Sequence, residues 1–321
     1  MAIDFDFDPV EQAMADSVAA FCHDRVDAEL LRVAADEFPL PLWKDMAALG
    51  ILELACPDSG GSASALCAVS EQLGRAAFPG PLAACVLGAA VLDKKERAGI
   101  IAGKELVSLA EPPLLPWGPL ATHFLVVEDG VVLRADAPPD MQTSSTLGGE
   151  PWGRAAIEGN AALADSDRGL GLYLLTLAAW QAAAGRRLVE MAAEHASTRQ
   201  QFGRPIASFQ AVAHPLADSV IRLDASTALA RSAAFALDTG ADDAMVALLR
   251  ARASADRAAV AAARTCHQVF GALGVSLEGP VFNYSRRMLQ AASLPPNAGW
   301  TMRRLAEAAG LPPTSLADAA G

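Results

Sequence analysis

Apolar positions recur at three- and four-residue intervals through "DPVEQAMADSVAAFCHDRV", which predicts a helix with Asp8 as its cap and Pro9 in its first turn. "LPLWKDMAALGIL" predicts a second helix closed by Gly50, and "PDSGGSAS" reads as a loop. "ALCAVSEQLGRAAF" predicts a third helix, and Pro79 and Pro81 bound the next. From Leu106 to Leu163 the pattern changes. "VSLAEPPLLPWGPL", "HFLVVEDGVVLRADAPPD" and "RAAIEGNAAL" mix β-branched runs with proline and Asp-Gly turns, and "FLVVEDGVVL" predicts a hairpin with Asp129-Gly130 at its tip. From Asp165 the helical period returns: Leu174, Leu177, Ala184, Leu188 and Met191 lead up to Arg199. A second helix is expected after Ser208, with Pro215 either kinking it or falling in its first turn, and a third across "DDAMVALLRARASADRAAVAAARTCHQVF". The expectation is a mainly α chain in three parts: an N-terminal helical domain (1–105), a small β-domain (106–163) and a C-terminal helical bundle (164–321).

Composition narrows what such a chain can do. With 52% apolar and 19% charged residues over 321 positions, much helical surface must be covered, part of it by another subunit. A net charge of −12 argues against a binder of nucleic-acid backbone, which carries a basic face. It leaves room for a phosphorylated cofactor, since one arginine and a few backbone N–H groups can hold a pyrophosphate. The five cysteines are scattered without CxxC pairing, which reads as reduced thiols in the cytoplasm, with no metal site. The acidic start "MAIDFDFDPVEQ" lacks the order of a signal peptide. The uncharged run Gly169–Gly185 continues into an amphipathic stretch and reads as a buried helix, not a membrane span.

One segment does more than end a helix. "RQQFGRPIASFQ", Arg199 to Gln210, sets two guanidinium groups, three amides and two phenyl rings into an alanine-rich region. The plain reading makes Arg199 a dipole partner and Gly203 a C′ residue. His214 and His267 lie in helical contexts and read as core or interface residues. Other segments then accompany the turn in order: "LWKDMAALGILELACPDSGG", "EQLGRAAFPGPL", "LAEP", "STRQQFGRPIASFQAVAHPLADSV", "QVFGALG" and "LEGPVFNYSRR". Together they resemble the acyl-CoA dehydrogenase family over most of the chain. The resemblance implies FAD bound across a subunit interface, with Arg199 facing its pyrophosphate, Gln201 hydrogen-bonding nearby and Phe202 packing on the adenine side. A planar cation suits phosphate oxygens and a ring suits a π face. It also implies that Gln268, Gly271 and Gly274 of "QVFGALG" let the backbone approach the pyrophosphate, glycine removing the Cβ that would obstruct it. Glu278 matches a family position taken as structural.

The family's reaction needs a carboxylate to remove the α-proton of an acyl-CoA thioester while flavin accepts the β-hydride. In most members that glutamate follows an arginine pair by about eight residues; counting from Arg286 reaches Pro295 in "SLPPNAGW". Other members place it on the helix before the arginine turn, a position close to Tyr173. Neither position holds an acid, and the nearest are Asp165, Asp167 and Glu307. The Gly-Ser-Asp loop that usually contacts the flavin ring is replaced by "EPPLLPWGPLATHF". The chain thus resembles the short, base-less member of the paired acyl-CoA dehydrogenases of actinobacterial steroid side-chain degradation. The resemblance implies an α2β2 assembly in which this chain completes the FAD site of an acyl-CoA dehydrogenase-like partner. Two alternatives stand beside it: a self-sufficient homomer using Glu278, Asp167 or Tyr284 as base, and a flavin-free acyl-CoA-binding scaffold.

Overall fold

The computed structural model describes residues 5–34, 37–146, 148–276 and 279–311. Helix α1 (Pro9–Arg25) opens on a capping box, with the Asp8 carboxylate accepting from the Val10 and Glu11 N–H groups at 2.8 Å. The Glu11 side chain in turn accepts from the Asp8 N–H at 3.0 Å. The short α2 (Ala28–Val33) and α3 (Leu40–Ala47) follow. Gly50, at φ +80°, closes this turn of the chain as expected, and a 3-10 segment, Ile51–Ala55, follows it. Helices α4 (Ala63–Arg75), α5 (Leu82–Val91) and α6 (Lys94–Ile101) complete the region. The sequence pattern missed α2 and α6, since segments of 6 and 8 residues are too short to show a period.

The middle of the chain folds into two small sheets. Strands β1 (Val107–Ala110), β3 (His123–Glu128), β4 (Val131–Ala135) and β7 (Gly159–Ala162) form the order β1-β3-β4-β7, with β1 and β3 parallel. Strands β2 (Leu114–Pro116), β6 (Trp152–Arg154) and β5 (Gln142–Ser144) form an antiparallel second sheet. The expected hairpin is present: Glu128 pairs with Val131, and Asp129 and Gly130 both have positive φ, the geometry of a two-residue turn that matches strand twist. Alternation divides the side chains of β1 and β3. Leu109 and Leu125 enter the main helical core, whereas Ala110, Phe124 and Val126 build a separate small core with Leu115 and Ile157.

Helix α7 (Ser166–Thr198) is the axis of the C-terminal region and is buried without interruption from Gly169 to Gly185. That run is therefore a buried helix, and no helix among the described residues is long and apolar enough to cross a membrane. A two-strand ribbon, β8 (Gln200–Gln201) and β9 (Arg204–Pro205), leads into α8 (Gln210–Asp238), then α9 (Ala244–Phe270), α10 (Ala272–Val275), α11 (Pro280–Ala292) and α12 (Ala298–Ala308). Pro215 lies inside α8, beyond its first turn. A buried polar network ties three of these helices. Arg252 on α9 donates to Asp256 at 2.5 Å and to the Ala291 carbonyl at 2.8 Å, while Gln181 of α7 donates to Asp256 at 3.1 Å and to the Met288 carbonyl at 2.9 Å.

Helices α4 and α7 touch backbone to backbone. A Cβ on Gly74 would stand 2.3 Å from the Trp180 carbonyl oxygen and 2.8 Å from its Cα. Neither atom can swing away, so Gly74→Ala must part the helices and is expected to lower unfolding free energy by about 1–3 kcal/mol, read from urea denaturation. An unchanged midpoint would show that this crossing is loose.

Candidate functional site

The segment from Arg199 to Phe209 is a hairpin standing off the end of α7. Gln200 pairs with Pro205 and Gln201 with Arg204, leaving Phe202 (φ +55°) and Gly203 (φ +78°) as the two-residue tip. Gly203 thus serves the hairpin tip, and the plain C′ reading of it fails: α7 is capped by Arg199, whose N–H donates to the His195 carbonyl at 2.9 Å. The hairpin is fixed at its base by the Ile206 N–H donating to the Arg199 carbonyl at 2.9 Å, and by Arg204 stacking 4.2 Å over the Phe209 ring. Phe202 is 91% exposed, touching only the edge of Phe209 among aromatic neighbours, with ring centroids 6.0 Å apart. The Arg199 and Gln201 side chains are exposed and make no hydrogen bond or ion pair among the described residues. Holding a large phenyl ring in water costs free energy unless something outside the chain covers it.

The second predicted segment lies at the same end of the molecule. His195, one turn before Arg199, stacks on Phe270 at 4.4 Å and 15°, which brings the end of α7 against the end of α9. Gln268 is exposed there. Gly271 has φ +60° and ψ −128°, a conformation suited to glycine, and a Cβ on it would meet nothing among the described residues within 4 Å. Its open side is available to a group from outside. Gly274 differs: it is buried, and a Cβ there would lie 2.8 Å from the His267 carbonyl, so helix packing alone requires it. His267 hydrogen-bonds Ser285 at 2.8 Å across to α11, in keeping with a structural role.

The two positions read as places for a catalytic carboxylate meet in space. The buried Tyr173 hydroxyl donates to the Pro295 carbonyl, and burial pushes the phenol well above its ordinary pKa. The loops on either side join as well: Asn297, which caps α12 through Trp300 N–H at 3.0 Å, also donates to Glu111 of "LAEP". Beside Tyr173 lies a cavity of about 60 Å³, walled by Leu109, Trp117, Leu177, Trp180 and Leu294. That is room for roughly two waters, well below the approximately 300 Å³ at which small-ligand pockets begin.

One wall of this cavity carries a carboxylate that the sequence reading missed. Glu150 is 8% exposed, with Oε1 3.9 Å from the Arg287 Nε, and its Oε2 has no hydrogen-bond partner among the described residues. Gln290 of α11 holds the loop by accepting from the Gly148 N–H at 2.8 Å. Burial raises the Glu150 pKa more than the Arg287 charge lowers it, and burial likewise brings Arg287 down to about 10. A raised folded pKa means that the stability from neutral Glu150 is full below its unfolded value and is lost as pH rises through the folded one. Glu150→Gln cannot ionise, so any thermal-stability advantage of the natural chain is expected to shrink from about pH 4.3 upward. Parallel melting curves across that range would instead mean that Glu150 is ionised throughout.

The other acids are placed elsewhere. Asp165 and Asp167 are exposed at the start of α7, and Glu307 pairs with Arg304 at 3.4 Å on exposed α12. Tyr284 is buried and donates to the Arg75 carbonyl at 2.5 Å, and Glu278 lies outside the described residues. Among the described residues no group of three or more His, Cys, Asp or Glu could hold a metal ion. All five cysteines are free and buried, and burial pushes the Cys85 thiol up to about 12, leaving it inert.

A helical N-terminal region, a small β-region and a long-helix bundle ending in an exposed Arg-Gln-Phe hairpin define an acyl-CoA dehydrogenase fold. The chain belongs to the acyl-CoA dehydrogenase family: residues 8–94 match its N-terminal domain and residues 169–295 its C-terminal domain. It is 27% identical over 314 residues to acyl-CoA dehydrogenase FadE34 of Mycobacterium tuberculosis, covering 83% of this chain but only 41% of that relative. It is 26% identical to acyl-CoA dehydrogenase IpdE2 of Mycolicibacterium smegmatis, covering 92% of this chain and 97% of that protein. Among solved structures, a chain of the ChsE4-ChsE5 complex from Mycobacterium tuberculosis superposes with a TM-score of 0.80 at 24% identity, covering 97% of this chain and all of that one. A chain of the Tcur3481-Tcur3483 steroid acyl-CoA dehydrogenase, a G363A variant, also reaches 0.80, at 23% identity, covering 94% of this chain and 98% of that one.

Proposed function

We propose that this chain is the base-less subunit of a heteromeric α2β2 acyl-CoA dehydrogenase of the cytoplasm, completing a FAD site seated mainly on its partner. Bulky acyl-CoA thioesters, steroid side-chain thioesters among them, are its substrate class. The observation that carries this reading is the Tyr173–Pro295 hydrogen bond, which joins both expected base positions through a neutral phenol and a carbonyl. The cavity of about 60 Å³ beside it is too small for a bulky acyl group at that point. The naming of two chains in the ChsE4-ChsE5 and Tcur3481-Tcur3483 relatives agrees with an unequal pair.

The opposite end of the bundle fits the nucleotide half of FAD. Arg199 would neutralise the pyrophosphate, Gln201 would hydrogen-bond beside it, and the outward Phe202 ring would cover the adenine. The exposed Gln268 amide and the open side of Gly271 would line the approach, with Gly274 keeping the turn compact. When bound, FAD supplies the hydride acceptor. The chain's own contribution is to anchor the cofactor and to shield its nucleotide end from water.

Arg199→Ala tests the placement. The side chain has no partner among the described residues, so the variant is expected to fold normally and to co-purify with the partner subunit stripped of most flavin, read from absorbance per mole of complex. Unchanged flavin content would remove the hairpin from the site. A second reading rests on Glu150: a buried carboxylate with a raised pKa beside the cavity could serve as a base within this chain. It expects a yellow, active homomer that Glu150→Gln inactivates.

A further inference from the structure

Arg250, Arg257 and Arg264 stand at seven-residue intervals along α9, and Arg222 faces the same groove from α8. All four are exposed and make no hydrogen bond, ion pair or ring contact from their side chains among the described residues. Other arginines of the bundle are engaged: Arg231 of α8 with Glu71 at 2.8 Å, Arg252 of α9 with Asp256 at 2.5 Å, and Arg186 of α7 with Asp224 of α8 at 3.0 Å. The groove measures about 870 Å³ and its floor is small and apolar, with Ala253 and Val260 from α9 and Leu305 from α12. Among the described residues Asp256 is the one carboxylate lining it, and Arg252 and Gln181 already hold that group. In a chain of net charge −12, an unneutralised row of four arginines is a marked departure from the rest of the surface. Met302 of α12, 49% exposed, adds to the apolar lining.

The spacing selects the occupant. Seven residues return a helix to nearly the same face about 10 Å further along, so Arg250 and Arg264 lie roughly 21 Å apart. A phosphate or a single carboxylate is too small to span a row of that length. A helix carrying acidic side chains at seven-residue intervals would meet the whole row, and the alanine floor lets its backbone come close. We propose that this groove is the docking site for an acidic helix of the partner subunit, an inference that rests on the heteromeric reading above. The row supplies charge matching and register, and the apolar floor supplies buried area.

The test is co-expression with an acyl-CoA dehydrogenase-family chain from the same genome that carries a glutamate about eight residues after its arginine pair. Complex mass and dissociation constant would be measured at low and high salt. The natural pair is expected to weaken with salt, and Arg250→Glu/Arg257→Glu to weaken it about tenfold or more. Arg250→Lys/Arg257→Lys is expected to retain most of the affinity. These side chains have no partner among the described residues, and an unaltered melting curve confirms that the reversed variant is folded. A complex indifferent to both salt and reversal would overturn the docking site while leaving the heteromer standing. No complex with the natural chain would overturn both. A self-associated natural chain that the reversal splits into monomers would assign the groove to a second copy and overturn the proposal.

Discussion

Purified without a partner, this chain is expected to dehydrogenate acyl-CoA thioesters about 10²- to 10⁴-fold more slowly than the assembled complex, the usual effect of lacking a general base. The reason is local chemistry at one point. Tyr173 is 1% exposed, burial raises its pKa, and its proton is already donated to the Pro295 carbonyl. Proline has no titratable side chain, so neither group can take up an α-proton near neutral pH. The measurement is turnover of several acyl-CoAs with an artificial electron acceptor, by the chain alone and by the complex, at matched flavin. Glu150 is the group that could reverse the outcome, since it faces the same cavity. Its Arg287 neighbour at 3.9 Å and the small cavity favour a structural carboxyl over one that reaches substrate. Robust turnover by the homomer, abolished in Glu150→Gln, would establish Glu150 as the base and end the unequal-pair reading. Robust turnover that survives Glu150→Gln would direct attention to Glu278, Asp167 or another acid.

Much of the fold was legible because it is written locally. Asp8, Pro9 and Glu11 specify the start of α1 through hydrogen bonds spanning no more than three residues, and Asp129-Gly130 specifies a hairpin through its own backbone preferences. The Arg199–Phe209 segment was legible as chemistry but not as shape. Nothing in "RQQFGRP" announces that Phe202 would adopt φ +55° at a two-residue tip, a conformation that side chains other than Gly, Asn and Asp seldom take. Glu150 was not legible at all. Its burial depends on Gln290 and Arg287, about 140 residues further along, so no periodic signal marks it. An acid between Gly148-Gly149 and Pro151-Trp152 was the only local cue, and such loops are ordinarily solvated. The arginine row on α9 shows the opposite case. Its seven-residue spacing stands in the sequence, but only the structure shows that α8 and α12 wall it into a groove whose lining carboxylate, Asp256, is already held by Arg252 and Gln181.

Arg231→Ala is expected to cost about 3–5 kcal/mol of unfolding free energy, because it strands a buried carboxylate. Glu71 sits on α4 with its side chain 9% exposed, and Arg231 reaches it from α8 with Nε at 2.9 Å and Nη2 at 2.8 Å. This fork joins the N-terminal helices to the C-terminal bundle, and the same guanidinium stacks 4.2 Å from the Phe7 ring and lies 3.8 Å from Asp6. The hydrogen bonds with Glu71 hold the Arg231 pKa above its ordinary value, so the guanidinium remains charged throughout the neutral range. Two effects can be separated by a second variant. If the loss comes from an uncompensated charge, Glu71→Gln/Arg231→Ala should recover much of it, since no buried charge then lacks a partner. If it comes from the missing arginine stem and its contact with Phe7, the double variant should be no more stable than the single one. Urea denaturation of the four chains in the cycle distinguishes these outcomes, and a loss below about 1 kcal/mol for Arg231→Ala would class the pair with exposed ion pairs, which contribute little.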